Sequence, residues 1–299
     1  MIALRKNILR NASALLAFTV AGSVTAHADL LAIDTFEDYN TTTNIRLQAG
    51  GGTGWSGAWN VLNDGSSSSP TAGTAMVTDT EITYTYGGAT LGGGQSLLLD
   101  SASNGTQRDV FSSVDQGGGD FFVSYIFRVT GSVFTSLQAR DSGPNINDDS
   151  ISLVTTPGSE GNLGVVRARV ANTDASSSAG SVVPDPTYFL VTQFTGWTST
   201  NYSTVNVWLN PVESDQPPIS ISATITNATA GAGSDGFIGL YFRTSGIDAG
   251  TESFLIDDLR VGTDWASVTE VSIPEPSAAS LAAGGVVALC ALFNRRRRA

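Results

Sequence analysis

The side chains here that could do chemistry are carboxylates. The stretch LIDDLRV carries two adjacent aspartates, Asp257 and Asp258. Strand alternation puts Asp257 on one row with Leu255, Leu259 and Val261, and an acid on an apolar row must be paired, hydrogen-bonded or metal-bound. A strand-end aspartate held by backbone amides or by an arginine is the plainer reading. Upstream, IDTFEDYN supplies Asp34 and Glu37, and the loop DSGPNINDDS collects Asp141, Asn145, Asn147, Asp148 and Asp149. That loop lacks the placed glycine and distal glutamate of an EF-hand, so it reads as a solvated turn. Trp208 alternates onto a polar row with Asn206 and Asn210. Exposed there, it would offer a platform for a sugar ring; covered by a neighbouring element, it would be packing.

Composition removes most other chemistries. Residues 1–28 read as a secretory signal peptide: Arg5, Lys6 and Arg10 precede an apolar run from Ala14 to Val24, and Ala26-His27-Ala28 fits the small-x-small cleavage rule, so the mature chain is expected to begin at Asp29. The chain's one histidine, His27, leaves with that segment, and its one cysteine, Cys290, lies near the other end. The body, residues 29–272, therefore has no imidazole, no thiol and no lysine. Ser-His-Asp and Cys-His catalysis, ordinary zinc sites, Schiff bases and an intramolecular disulfide are all excluded. In the same residues 26 Asp and Glu stand against 8 Arg, a formal charge of −18. Such a body repels nucleic acid and anionic membrane surfaces and tolerates divalent cations.

The elements that must position these side chains are strands. No helical periodicity is sustained in the body, whereas period-two rows recur. Phe121, Val123, Tyr125, Phe127 and Val129 share a face against Ser124, Arg128 and Thr130; Ile219, Ile221, Ala223 and Ile225 form another row, as do Val205, Val207 and Leu209, and Ile238, Leu240 and Phe242. Runs such as GSSSSPTAG, DQGGGD, TDASSSAG and NATAGAGSDG between them are turn chemistry. About a dozen short strands without crossover helices predict an all-β, antiparallel two-sheet β-sandwich, and that many strands favour a jelly roll. No linker or repeat divides 29–272, which is read as one domain.

The C-terminal segment, residues 273–299, has a different character. Pro274-Glu275-Pro276 precede an uncharged span from Ser277 to Phe293, and Arg295, Arg296, Arg297 and Arg298 follow. As a helix the span would be roughly 25 Å long, at the short end of what crosses a bilayer. The arginines would stay cytoplasmic and leave the acidic body outside the inner membrane. The prolines keep the helix from extending towards the body and leave an extended stretch that a protease could enter. On physical grounds a plain single-span anchor and a processed sorting signal fit equally.

Several of these stretches together resemble one group of bacterial exported proteins. IDTFEDYN with GGTGWSGAWN resembles their opening, YFLVTQFTGWTSTNYSTVNVWLNP their mid-domain strand pair, and SFLIDDLRVGTDWASV their last strand. The group carries a laminin-G/concanavalin-like jelly roll and ends in a PEP-CTERM sorting signal, whose three parts the tail here matches in order. The resemblance implies recognition by an exosortase, removal of the tail, and a non-catalytic role in the cell envelope or with extracellular polysaccharide. It also implies a structural calcium between first and last strands, for which Asp34, Glu37 and Asp257 are the residues to pick; that would make the chain a calcium-stabilised carbohydrate-binding module. Trp55, Trp59 and Trp265 fall in the shared motifs and are expected to be packing. A glycoside hydrolase or lyase is the third reading, and a weak one. The concanavalin-like hydrolases use a Glu-x-Asp-x-x-Glu strand, and Glu37, Glu81, Glu160, Glu213, Glu252 and Glu270 nowhere match that spacing.

Overall fold

A computed structural model describes residues 30–45, 48–55, 57–59, 75–100, 103–109, 119–131, 134–140, 151–156, 164–170, 173–174, 178–196, 204–212, 222–226, 239–245 and 250–269. Strands are numbered in chain order. The first sheet contains β1 (Leu30–Asp34), β2 (Ala75–Thr78), β5 (Ser96–Leu99), β7 (Phe121–Thr130), β13 (Thr187–Thr195), β14 (Thr204–Leu209), β15 (Ser222–Thr226) and β17 (Ser253–Gly262). Its order is β15-β14-β13-β7-β17-β5-β2, with β1 also paired to β17. The second sheet contains β6 (Ser103–Asp109), β8 (Phe134–Arg140), β9 (Ile151–Thr156), β10 (Gly164–Val170), β11 (Thr173–Asp174), β12 (Gly180–Val182) and β16 (Gly239–Ser245). It runs β11-β10-β9-β8-β16-β6, with β12 also on β10. A separate hairpin, β3 (Thr83–Tyr86) and β4 (Ala89–Gly92), and a short helix, α1 (Trp265–Thr269), complete the described elements. All strand pairs are antiparallel.

The expected antiparallel two-sheet sandwich is the architecture seen. Phe121, Val123, Tyr125, Phe127 and Val129 of β7 do share the inner face. They join one buried cluster with Leu137, Val166, Ala168, Leu240 and Phe242 of the second sheet. The Tyr125 ring meets Phe242 edge-on across the interface, centroids 5.3 Å apart. Val205 and Val207 point into the same core and Leu209 packs against it, as their row predicts. The described residues form 17 strands rather than about a dozen, because the hairpin and the edge strands β11 and β12 are too short to show a period.

The other face of β7 departs from expectation. Alternation predicts a polar face through Ser124, Arg128 and Thr130, yet Phe122 and Ile126 lie on it and are buried. The first sheet is covered on its outside as well. Ile82, Tyr86 and Leu91 of the hairpin, and Trp265 and Val268 of α1, form a second buried cluster with Phe122, Ile126, Phe189, Val191, Trp208 and Leu255. A strand buried on both faces loses clean alternation, which is why FFVSYIF and YFLV read as nearly continuous apolar runs. Ser124 is accommodated there because its hydroxyl donates to the Val268 carbonyl at 2.6 Å.

Candidate functional site

Asp257 and Asp258 sit where β17 changes neighbours. Its edge pairs with β5 as far as Ile256 and with β1 from Leu259 onward. Along its other edge, Asp257 pairs with Ile126 and Arg260 with Ser124 of β7, so β17 carries one extra residue there. Asp258 absorbs it at φ 49, in the left-handed region, and the result is a β-bulge. A bulge reverses row parity, which corrects the predicted row. Leu255 faces the outer cluster, while Leu259 and Val261, beyond the bulge, face the inter-sheet core.

The gap between β5 and β1 is filled by the turn Gly92-Gly93-Gly94, all three at positive φ. A Cβ on Gly92 would lie 2.6 Å from the Ile82 carbonyl oxygen and 2.8 Å from Asp257 Oδ2, so both conformation and space require glycine. The turn is held by acids. The Gly93 amide donates to Asp257 Oδ2 at 3.0 Å, the Gly92 amide to Asp258 Oδ2 at 3.3 Å, and the Gln95 amide to Glu37 Oε1 at 2.9 Å.

The two neighbouring aspartates have different electrostatics. Arg260 neutralises Asp258 with a two-pronged contact, Nε to Oδ1 at 2.8 Å and Nη2 to Oδ2 at 3.0 Å. Asp257 is fully buried, and its Oδ1 accepts the Asp258 amide at 2.6 Å. Burial pushes its carboxyl up to about 8, and the charges of Asp258 and Glu37 push the same way against the two backbone amides. At neutral pH Asp257 is mostly a neutral, protonated acid.

Asp34 is engaged elsewhere. Its Oδ1 accepts the Phe36 amide at 3.0 Å, a local turn that holds Phe36 at φ 59. Its Oδ2 accepts the Tyr39 hydroxyl at 2.8 Å and the Trp59 indole at 3.1 Å. Trp55 donates to the Ile33 carbonyl at 3.0 Å, Phe36 stacks on Trp59 at 5.9 Å, and Trp59 reaches Phe242 of the second sheet at 6.2 Å. The motifs IDTFEDYN and GGTGWSGAWN are therefore two halves of one packed unit around a buried carboxylate, as packing roles for Trp55 and Trp59 require.

This arrangement corrects the expected calcium set. Glu37 and Asp257 do converge on the glycine turn, but Asp34 is turned into its aromatic surround. Among the described residues no group of three or more His, Cys, Asp or Glu is placed to hold a metal. With Asp34 held by Tyr39 and Trp59, the three carboxylates do not form one ligand set.

Trp208 is corrected too. It is 1% exposed and lies under Trp265, whose ring meets it edge-on at 5.2 Å. The polar row that suggested exposure is roofed by α1, so Trp208 offers no surface to a sugar. Further along that row Asn206 donates to Gln193 at 3.0 Å, and Gln193 and Thr195 donate to Asp120 at 2.8 and 2.5 Å, a polar chain that ends at the exposed Asp120. Ala26, Ala28, Pro274, Glu275, Pro276, Arg295, Arg296, Arg297, Arg298 and the loop 141–150 lie outside the described residues.

Sequence reading offers backbone amides or an arginine as partners for such an aspartate, but it names neither Arg260 nor the glycine turn. The signal was present in LGGGQ, since three glycines in succession after a strand mark a place where other groups approach the backbone.

No protein-family profile and no curated protein matches the chain. Similar solved structures include the cellulose induced protein Cip1, with a TM-score of 0.44, 13% identity and coverage of 78% of this chain and 97% of that one. A glycosyl hydrolase family 16 protein from Mycobacterium smegmatis aligns at 0.40, 13% identity, and 78% and 100% coverage. The globular domain of T. cruzi calreticulin aligns at 0.42, 10% identity, and 69% and 84% coverage. These are loose likenesses of outline, and no ligand or activity passes from them to this chain.

Proposed function

We propose that this chain is an exported, non-catalytic protein of the cell envelope or extracellular matrix, delivered by its PEP-CTERM tail through an exosortase and associated there with extracellular polysaccharide. Its sandwich is read as a laminin-G/concanavalin-like jelly roll, residues 29–272, between a signal peptide and the sorting segment 273–299. The observation that carries this reading is the ordered tail: Pro274-Glu275-Pro276, an uncharged span of seventeen residues, then four arginines. The arginine cluster supports it, since arginines directly beside an apolar span resist transfer. The buried roles of Asp34, Asp257 and Asp258 support a structural use of these carboxylates, because none is open to a substrate.

The test is mass spectrometry of the protein recovered from its own cells, beside a chain lacking residues 274–299. The mature form is expected to start at Asp29 and to lack the apolar span and the arginines. The truncated chain is expected to escape membrane retention and processing. Unchanged retention and an intact C-terminus in the full chain would overturn the sorting reading.

A further inference from the structure

The two sheets differ in what lies on their outer faces. The first sheet is roofed by the hairpin and α1, and the buried cluster under that roof takes no residue from the described strands of the second sheet. The core row of the second sheet runs Phe242–Leu137–Leu153–Ala168 across four strands. The rows on either side of it belong to the outer face. One runs Arg243–Ser136–Val154–Arg167, the other Tyr241–Gln138–Ser152–Arg169. Arg140 pairs in register with Gly239, one step further along the same face.

Residues 29–272 contain eight arginines, and four of them, Arg140, Arg167, Arg169 and Arg243, hold positions on this one face. Among the described residues two acids share it: Asp109 in register with Gly239, and Asp174 in register with Arg169. Among the described residues, this face of a body carrying a formal −18 thus holds more cations than anions. On this face Ser136 is 3% and Tyr241 7% exposed, while Arg167 and Arg169 are partly exposed. The Nε of Arg167 is buried and without a hydrogen-bond partner. A guanidinium N–H removed from water and left unpaired is unfavourable, and a planar carboxylate is the acceptor its fork fits best.

We propose that the outer face of the second sheet binds an acidic polysaccharide through its uronate carboxylates, with Arg167 and Arg169 as the principal contacts. This rests on the reading of polysaccharide association above and names the class of glycan. The acidic remainder of the body then acts as a selector: it repels a polyanion everywhere except along this face, so the chain docks in one place and one orientation.

The experiment uses the full-length protein in detergent, at about 0.15 M salt, where a Debye length of about 8 Å screens distant acids but not contact pairs. Probes are polygalacturonate, its fully methyl-esterified form and dextran. Affinity is followed by retardation in gels containing each polymer. Polygalacturonate is expected to bind about tenfold or more tighter than its ester, as loss of a charge-assisted pair implies. R167Q and R169Q should each lose about tenfold on polygalacturonate, whereas R128Q, an equal charge change at a partly exposed site on the first sheet, should not weaken binding. Melting curves check folding; if R167Q misfolds, the partly exposed R169Q carries the test. Equal affinity for acid and ester, or wild-type binding by both variants, overturns this proposal and leaves polysaccharide association standing. Failure to bind these polymers and the cell's own polysaccharide removes both readings.

Discussion

Asp257 makes the pH dependence of stability a direct test of the bulge. Its folded-state value is raised from 3.8 to about 8 by burial. Between those values the unfolded chain has released a proton that the folded chain still holds, so stability falls as pH rises, and the loss is complete only above about 8. Each unit of pH in that window removes about 1.4 kcal/mol, so moving from about pH 5 to about pH 8 should cost roughly 4 kcal/mol through this residue alone. For a body of this size that is on the order of 10 °C in melting temperature. Other groups titrate too, so the informative quantity is the difference between wild type and D257N, measured by thermal or urea unfolding in chelator. Asparagine cannot ionise, but its amide nitrogen must face either the Gly93 or the Asp258 amide, which now donate to the two carboxylate oxygens at 3.0 and 2.6 Å. D257N should therefore be less stable than wild type at about pH 5, by roughly 1–3 kcal/mol. It should gain on wild type steadily and overtake it between about pH 6 and about pH 7. A difference that stays constant across the range would show that Asp257 ionises at an ordinary value, and the account of a buried neutral acid would be refuted.

Further outcomes follow from the same geometry. Millimolar calcium should move the melting temperature by less than about 1 °C; a saturable rise of several degrees would mean that Glu37 and Asp257 recruit a cation after all. Gly92→Ala should destabilise by about 2 kcal/mol or more, since positive φ and the contacts with Ile82 and Asp257 are both violated, and urea unfolding would read it. Trp208→Ala should cost roughly 3–5 kcal/mol by cavity formation, yet folded W208A should bind glycans like wild type; a selective loss of binding would restore Trp208 as a sugar platform. Tyr39→Phe should cost about 1–2 kcal/mol by removing a donor from buried Asp34, measured by the same unfolding curves.

Where one side of a strand meets only the core, its assignment was legible in the primary structure. The β7 row from Phe121 to Val129 and the β14 row of Val205 and Val207 were read correctly because alternation is a property of neighbours two residues apart. The opposite side of the same strands was not legible. Whether Phe122 and Trp208 meet water depends on α1, which arrives from more than fifty residues downstream of Trp208. The acidic site was half legible. Asp257 was recognised as an acid that must be satisfied, and the backbone-amide and arginine alternative describes Asp257 and Asp258 as they stand. Asp34 enters the calcium set through the family resemblance, and nothing local indicates that Tyr39 and Trp59 take its oxygens.

By itself the amino-acid sequence determined the antiparallel β character, the confinement of the body's chemistry to carboxylates, hydroxyls and arginines, and its strong negative charge. All three depend on composition or on period-two spacing, which need no partner to be read. The tertiary structure alone decided that β17 gains a residue at Asp258 and reverses its rows, that Asp257 becomes neutral while its neighbour is paired, and that arginines from separate strands align on one face. Each of these depends on strand register and on what covers a sheet, and both are set by contacts between residues far apart in the chain.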